Sequence, residues 1–114
     1  MTRDKTTVSL REMLDYSREA VDFIQGIDIS QFAADRLRNL AVVRLVEIVG
    51  EAANRIPSDV QNQYPKIPWR EIIDMRNVIA HGYDILDYDI LWKVVTVDLP
   101  ELIQALEGIV PPEG

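Results

Sequence analysis

The stretch from Ser30 to Arg55 constrains the fold most, because it runs without a proline and carries two apolar rows side by side. Leu37, Leu40, Ala41, Leu45, Ile48 and Ala52 recur at helical spacing, and Val42, Val46, Val49 and Ala53 form a second row next to them. A helix apolar over so wide an arc is buried on more than one side, in a core and, as a further option, in a dimer interface. Ser30 suits a helix N-cap and Pro57 stops the run, so one helix is expected from Ser30 to about Arg55. Arg44, Glu47, Glu51 and Arg55 follow at spacings of three or four and share the remaining face. A solvated ladder of ion pairs accounts for that strip without any function.

The flanking segments read as helices too. Leu10, Leu14, Val21 and Ile24 predict a first helix from Ser9 to about Gln25, with Gly26 as its C-terminal stop. Pro57 to Pro68 is expected to be an irregular connection, since Pro65 and Pro68 forbid a continuous helix. A short helix follows from about Trp69 to Ala80, and a last one from Asp87, as N-cap, to Ile109, kinked or divided at Pro100. No alternating strand pattern occurs. The expectation is an all-α, up-and-down bundle of four to five helices in one domain over residues 1–114, its core spanning about 8–109 and its tail, 110–114, frayed.

Composition narrows the function. A net charge of −7 argues against a protein that grips nucleic acid over a broad basic face, although a local basic cleft remains compatible with it. The chain has no cysteine and one histidine, which removes thiol chemistry and zinc–thiolate sites and leaves little for a transition metal, so no cofactor is expected. Met1 to Thr7 is polar and no apolar run approaches a membrane span, so a cytoplasmic protein without membrane contact is expected.

The one histidine lies in Arg76-Asn77-Val78-Ile79-Ala80-His81-Gly82-Tyr83. On a continuous helix Asn77 and His81 share a face, Tyr83 comes round near Arg76, and Gly82 ends the helix directly after His81. Arg76 falls four residues after Ile72 and three after Ile73, in an apolar stripe, where its charge would need a carboxylate such as Glu47 or Glu51. Histidine moves protons near neutral pH, and arginine offers a planar fork to phosphate. Together they suit metal-independent phosphodiester cleavage, with His81 as general base or acid at a ribose 2′-hydroxyl and Arg76 stabilising charge at phosphorus. One histidine does not readily serve as both acid and base, so two copies across a dimer would help. The plain alternatives are that His81 caps a helix end, and that Tyr83, Tyr88 and Trp92 pack the bundle edge.

The same stretch resembles the Arg-x-x-x-x-His-x-Tyr signature of the HepT-like proteins, within the HEPN superfamily. Val46-Glu47-Ile48-Val49-Gly50-Glu51-Ala52-Ala53 is similar to that family's second-helix signature, and Pro65-Lys66-Ile67-Pro68-Trp69 to the segment leading into its motif helix. Leu91-Trp92 and Leu99-Pro100-Glu101-Leu102 are similar as well, so the likeness runs from about Arg11 to Leu106. The resemblance implies a homodimeric HEPN bundle with the motif lining a shared cleft. It implies a metal-independent endoribonuclease, the toxin of a type VII-like toxin–antitoxin pair, whose partner is an MntA-type nucleotidyltransferase that inactivates it by AMPylation of the motif tyrosine. Carried over, Arg76 and His81 are the catalytic pair, Asn77 a supporting polar residue and Tyr83 the modification site. Glu47, Glu51 and Arg44 are candidates to support these residues or to touch RNA, with Arg55 a further contributor. The competing readings are a non-catalytic helical dimer that binds the nucleotidyltransferase or presents a substrate to it, favoured by the acidic balance, and a purely structural oligomer.

Overall fold

The computed structural model describes residues 5–81 and 85–112, leaving aside the side chains of 78–81 and 85. The first helix, α1 (Lys5–Asp22), buries Leu10, Met13, Leu14, Ser17 and Ala20, the three-and-four spacing of an amphipathic helix. Its chain then turns through Gly26, whose φ of +78° lies in the left-handed region that glycine enters without a Cβ clash.

The next helix starts earlier than Ser30 and is cut in two. Asp28 caps α2 (Ile29–Ala34): its carboxylate accepts from the Gln31 amide at 2.8 Å, and the Gln31 side chain accepts from the Asp28 amide at 2.9 Å. This reciprocal box needs Glu or Gln three residues on. Ser30 lacks it, because Ala33 stands at that position. Asp35 then caps α3 (Arg36–Asn54) by accepting from the Arg38 amide at 3.0 Å, and its side chain competes with the backbone bonding that would have joined α2 to α3.

Along α3 the second apolar row is wholly inside: Val42, Val46, Val49 and Ala53 have no exposed surface. The first row divides. Leu45 and Ala52 are buried, Ala41 and Ile48 are half-buried, and Leu37 and Leu40 stand 82% and 44% exposed.

The expected irregular connection contains a helix, α4 (Ser58–Gln63), because Pro57 supplies at the N-cap an extended residue of fixed φ, −60°, that launches the turn rather than blocking it. Side chains satisfy the carbonyls that helix ends leave open. Gln61 donates to the Ile56 carbonyl after α3 at 3.1 Å, and the Trp69 indole donates to the carbonyls of Gln61 and Tyr64 at 3.0 and 3.1 Å.

The expected helix from Trp69 to Ala80 is also broken, into α5 (Trp69–Ile73) and α6 (Met75–Ile79), with a turn at Asp74. Ala80–His81, β1, pairs antiparallel with Ile85–Leu86, β2, in the register Ala80 to Leu86 and His81 to Ile85. This two-residue ladder is the strand content among the described residues.

Asp87 caps α7 (Tyr88–Lys93) as its sequence position suggests, accepting from the Ile90 amide at 3.1 Å. The helical run then passes through a π-turn (Val94–Asp98) into α8 (Leu99–Glu107). Pro100 has no amide hydrogen for the preceding turn, and the chain absorbs that gap by widening, the Leu99 amide donating to the Val94 carbonyl. In place of four to five helices, the described residues form eight shorter α-segments, because aspartates, prolines and the Asp74 turn cut the longer runs. The core gathers Met13 and Leu14 of α1, Phe32 of α2, the valines of α3, Leu91, Val95, and Leu99 and Leu106 of α8. Phe32 meets Trp92 at 5.5 Å between ring centres and so docks α2 on α7. No described helix is long and apolar enough to cross a membrane.

Candidate active site

A close backbone approach places the motif segment. Gly50 of α3 lies where an added Cβ would stand 3.1 Å from the Ile72 carbonyl oxygen and 3.4 Å from that of Ile73. Without a side chain there, the end of α5 rests directly on α3 and α6 follows along the charged strip of α3. A cavity of about 210 Å³ opens at this junction, lined by Glu47, Gly50, Glu51, Asn54, Arg76 and Asn77 among others. A larger cleft of about 410 Å³ between α5 and α8 has no described motif residue in its lining.

Arg76 is not buried in an apolar stripe. The turn at Asp74 resets the helical phase, so Ile72 and Met75 face the core while the Arg76 side chain is 65% exposed. Its Nη1 lies 3.7 Å from Oε2 of Glu47, whose side chain is 23% exposed. The other charges of the strip pair elsewhere: Arg44 with Glu51 at 3.4 Å along α3, and Arg55 with Glu12 and Ser9 of α1. Thus Glu47 serves Arg76 and Glu51 serves Arg44, and Arg55 belongs to the α1–α3 packing rather than to the cavity.

Asn77 lines the cavity beside Arg76. The helical relation expected between Asn77 and His81 does not hold, because α6 ends at Ile79 and His81 sits on β1. Gly82, the expected helix stop, lies outside the described residues, and the residue before it is on β1. The His81 backbone is paired to Ile85, while its side chain, and Tyr83 with it, lie outside the described residues. Two contributors were not singled out from sequence. Gly50 sets the interhelix distance, and Asn54 joins the cavity; the signal for Asn54 was available, since it follows Glu47 by seven and Glu51 by three on one helical face.

The arrangement presents a solvent-accessible guanidinium, steadied by one carboxylate, on the segment that runs straight into the single histidine. Comparison with known proteins identifies the family. The family model described as "Ribonuclease HepT-like" matches residues 13–109. A protein of Methanocaldococcus jannaschii named "Putative RNase MJ1380" is 32% identical over 107 residues, 94% of this chain and 98% of that one. The "Probable ribonuclease HepT" of Thermococcus cleftensis is 38% identical over 98 residues, covering 82% of this chain and 89% of the relative. No solved structure matches the chain. Nearly its whole length, including the α3 strip and the motif segment, thus falls within one group, and the chain belongs to the HepT-like ribonuclease family.

Proposed function

We propose that this chain is a metal-independent endoribonuclease in which Arg76 and His81 act on the same phosphodiester. The observation that carries the reading is the exposed Arg76 fork at the rim of the α3–α6 cavity, five residues before the histidine. In the reaction, His81 as general base takes the proton of a ribose 2′-hydroxyl as O2′ attacks phosphorus. The P–O5′ bond breaks, and the leaving O5′ receives a proton from an acid, for which the second His81 of a homodimer is the natural source. Arg76 neutralises charge gathering on the non-bridging oxygens. The products are a 2′,3′-cyclic phosphate and a 5′-hydroxyl. Asn77 supports the arginine at the cavity edge. The exposed Leu37 and Leu40 support the dimer, since they extend a partly buried apolar row onto an open face.

The activity fits the toxin of a type VII-like pair, held in check by an MntA-type nucleotidyltransferase that transfers AMP from ATP to Tyr83 and releases pyrophosphate. An added phosphodiester two residues from His81 would block the site and repel an RNA phosphate. The acidic balance of the chain favours a second reading, a non-catalytic dimer that binds the transferase or presents a substrate to it. Expression of the chain alone in a bacterial host, beside His81→Ala at equal soluble level, separates the two. Growth arrest by the parent alone supports the toxin. Normal growth by both, with Tyr83 unmodified by mass spectrometry, supports the binding module.

A further inference from the structure

The four charges on the α3 strip have different partners, and among the described residues Glu47 alone pairs with a motif side chain. Arg44 and Glu51 satisfy each other, and Arg55 ties α3 to α1. Glu47 crosses to α6 and meets Arg76 Nη1 at 3.7 Å. As a stabilising contact it is weak, since pairs this exposed are screened by water and this one is longer than a good hydrogen bond. Its geometry serves another purpose. The less exposed carboxylate holds one nitrogen of a long, mobile side chain, and no other partner of Arg76 occurs among the described residues. Among the described residues the rest of the guanidinium meets no partner, and an arginine takes a phosphate through two parallel N–H donors.

We propose that Glu47 is a positioning residue for Arg76: it orders the guanidinium before substrate arrives and directs the phosphate to its remaining N–H donors. The inference rests on the ribonuclease reading. Glu47 itself does not touch the reacting atoms, because a carboxylate beside an RNA phosphate repels it. Removing that charge therefore has two opposite effects. Arg76 loses its aim, which slows the chemical step, and the site loses a nearby negative charge, which eases ground-state binding.

The test is steady-state cleavage of one RNA by the parent, Glu47→Gln and Glu47→Asp, with a thermal melt of each. Glu47→Gln is expected to melt with the parent, to lose about tenfold in kcat as the misaimed fork costs catalytic geometry, and to gain in affinity, its KM falling about threefold through loss of one nearby charge. Glu47→Asp, which keeps the charge on a shorter stem, is expected to lie between parent and Glu47→Gln in kcat. A Glu47→Gln protein with parental kcat, one whose KM rises as kcat falls, or one whose loss tracks a lowered melting temperature overturns the proposal. If Glu47→Gln does not fold, the Glu47→Asp kcat decides alone, and parental turnover there overturns it. If the parent leaves RNA intact, the ribonuclease reading fails and takes this inference with it. A cutting parent with an unaltered Glu47→Gln sinks the inference alone.

Discussion

Gly50 and Ile72 set the distance between the two helical layers that form the cavity: a Cβ on Gly50 would stand 3.1 Å from the Ile72 carbonyl oxygen. The atom in the way is backbone, so it yields only if α5 shifts. Alanine at position 50 recovers roughly 1 kcal/mol of helix propensity over glycine and loses about 1–3 kcal/mol to overpacking. Gly50→Ala is therefore expected to be destabilised by about 1 kcal/mol, and Gly50→Val by more. Urea denaturation of the three proteins checks the order; equal midpoints for parent and Gly50→Val would contradict the close approach.

The start of α2 depends on Asp28 rather than Ser30. Asp28→Ala removes the carboxylate that accepts from the Gln31 amide and is expected to cost about 1 kcal/mol. Ser30→Ala is expected to change stability by less than about 0.5 kcal/mol. Denaturation midpoints of the two variants, measured side by side, test which residue is the cap.

Arg76 is exposed, so its loss should be felt in activity rather than in folding. Its ion pair with Glu47 is of the kind worth about 0–1 kcal/mol. Arg76→Ala is expected to melt within a few degrees of the parent and to cleave RNA at least a hundredfold more slowly, in keeping with the loss of about 3 kcal/mol of charge stabilisation. A variant that unfolds would return Arg76 to a structural role.

Leu37 is 82% exposed at the start of α3. In the proposed homodimer it lies at the interface, and Leu37→Glu, which buries a charge there, is expected to yield a folded monomer with the parent's circular dichroism spectrum. Sedimentation equilibrium gives the answer directly. A parent that is itself monomeric at working concentration, or a Leu37→Glu protein that remains dimeric, would remove Leu37 from the interface.

What was legible in the sequence is what neighbouring residues decide. The valine row of α3 follows from local periodicity, and the Asp87 cap from the three residues after it. The turn at Gly26 follows from glycine's tolerance of positive φ. Interruptions were harder to see. Periodicity places Asp35 in the interior of a long helix, yet its side chain competes for the backbone amide of Arg38. The Asp74 turn was hidden inside an apolar pattern that looked continuous, and that single reset moved Arg76 from an inferred core position to the surface. The partners of Glu47 and Glu51 were open because spacing along one helix places charges on a face but says nothing about what that face meets. The roles proposed for the motif residues rest on the resemblance, since periodicity places residues on a face without assigning chemistry to them.

Cleavage of RNA by Arg76 and His81 is tested by incubating a defined RNA with purified parent and His81→Ala in the presence of a metal chelator. Parental cleavage leaving 2′,3′-cyclic phosphate and 5′-hydroxyl ends, absent from a well-folded His81→Ala, is the predicted result. Equal cleavage by the two proteins, or intact RNA with an unmodified parent, would contradict it.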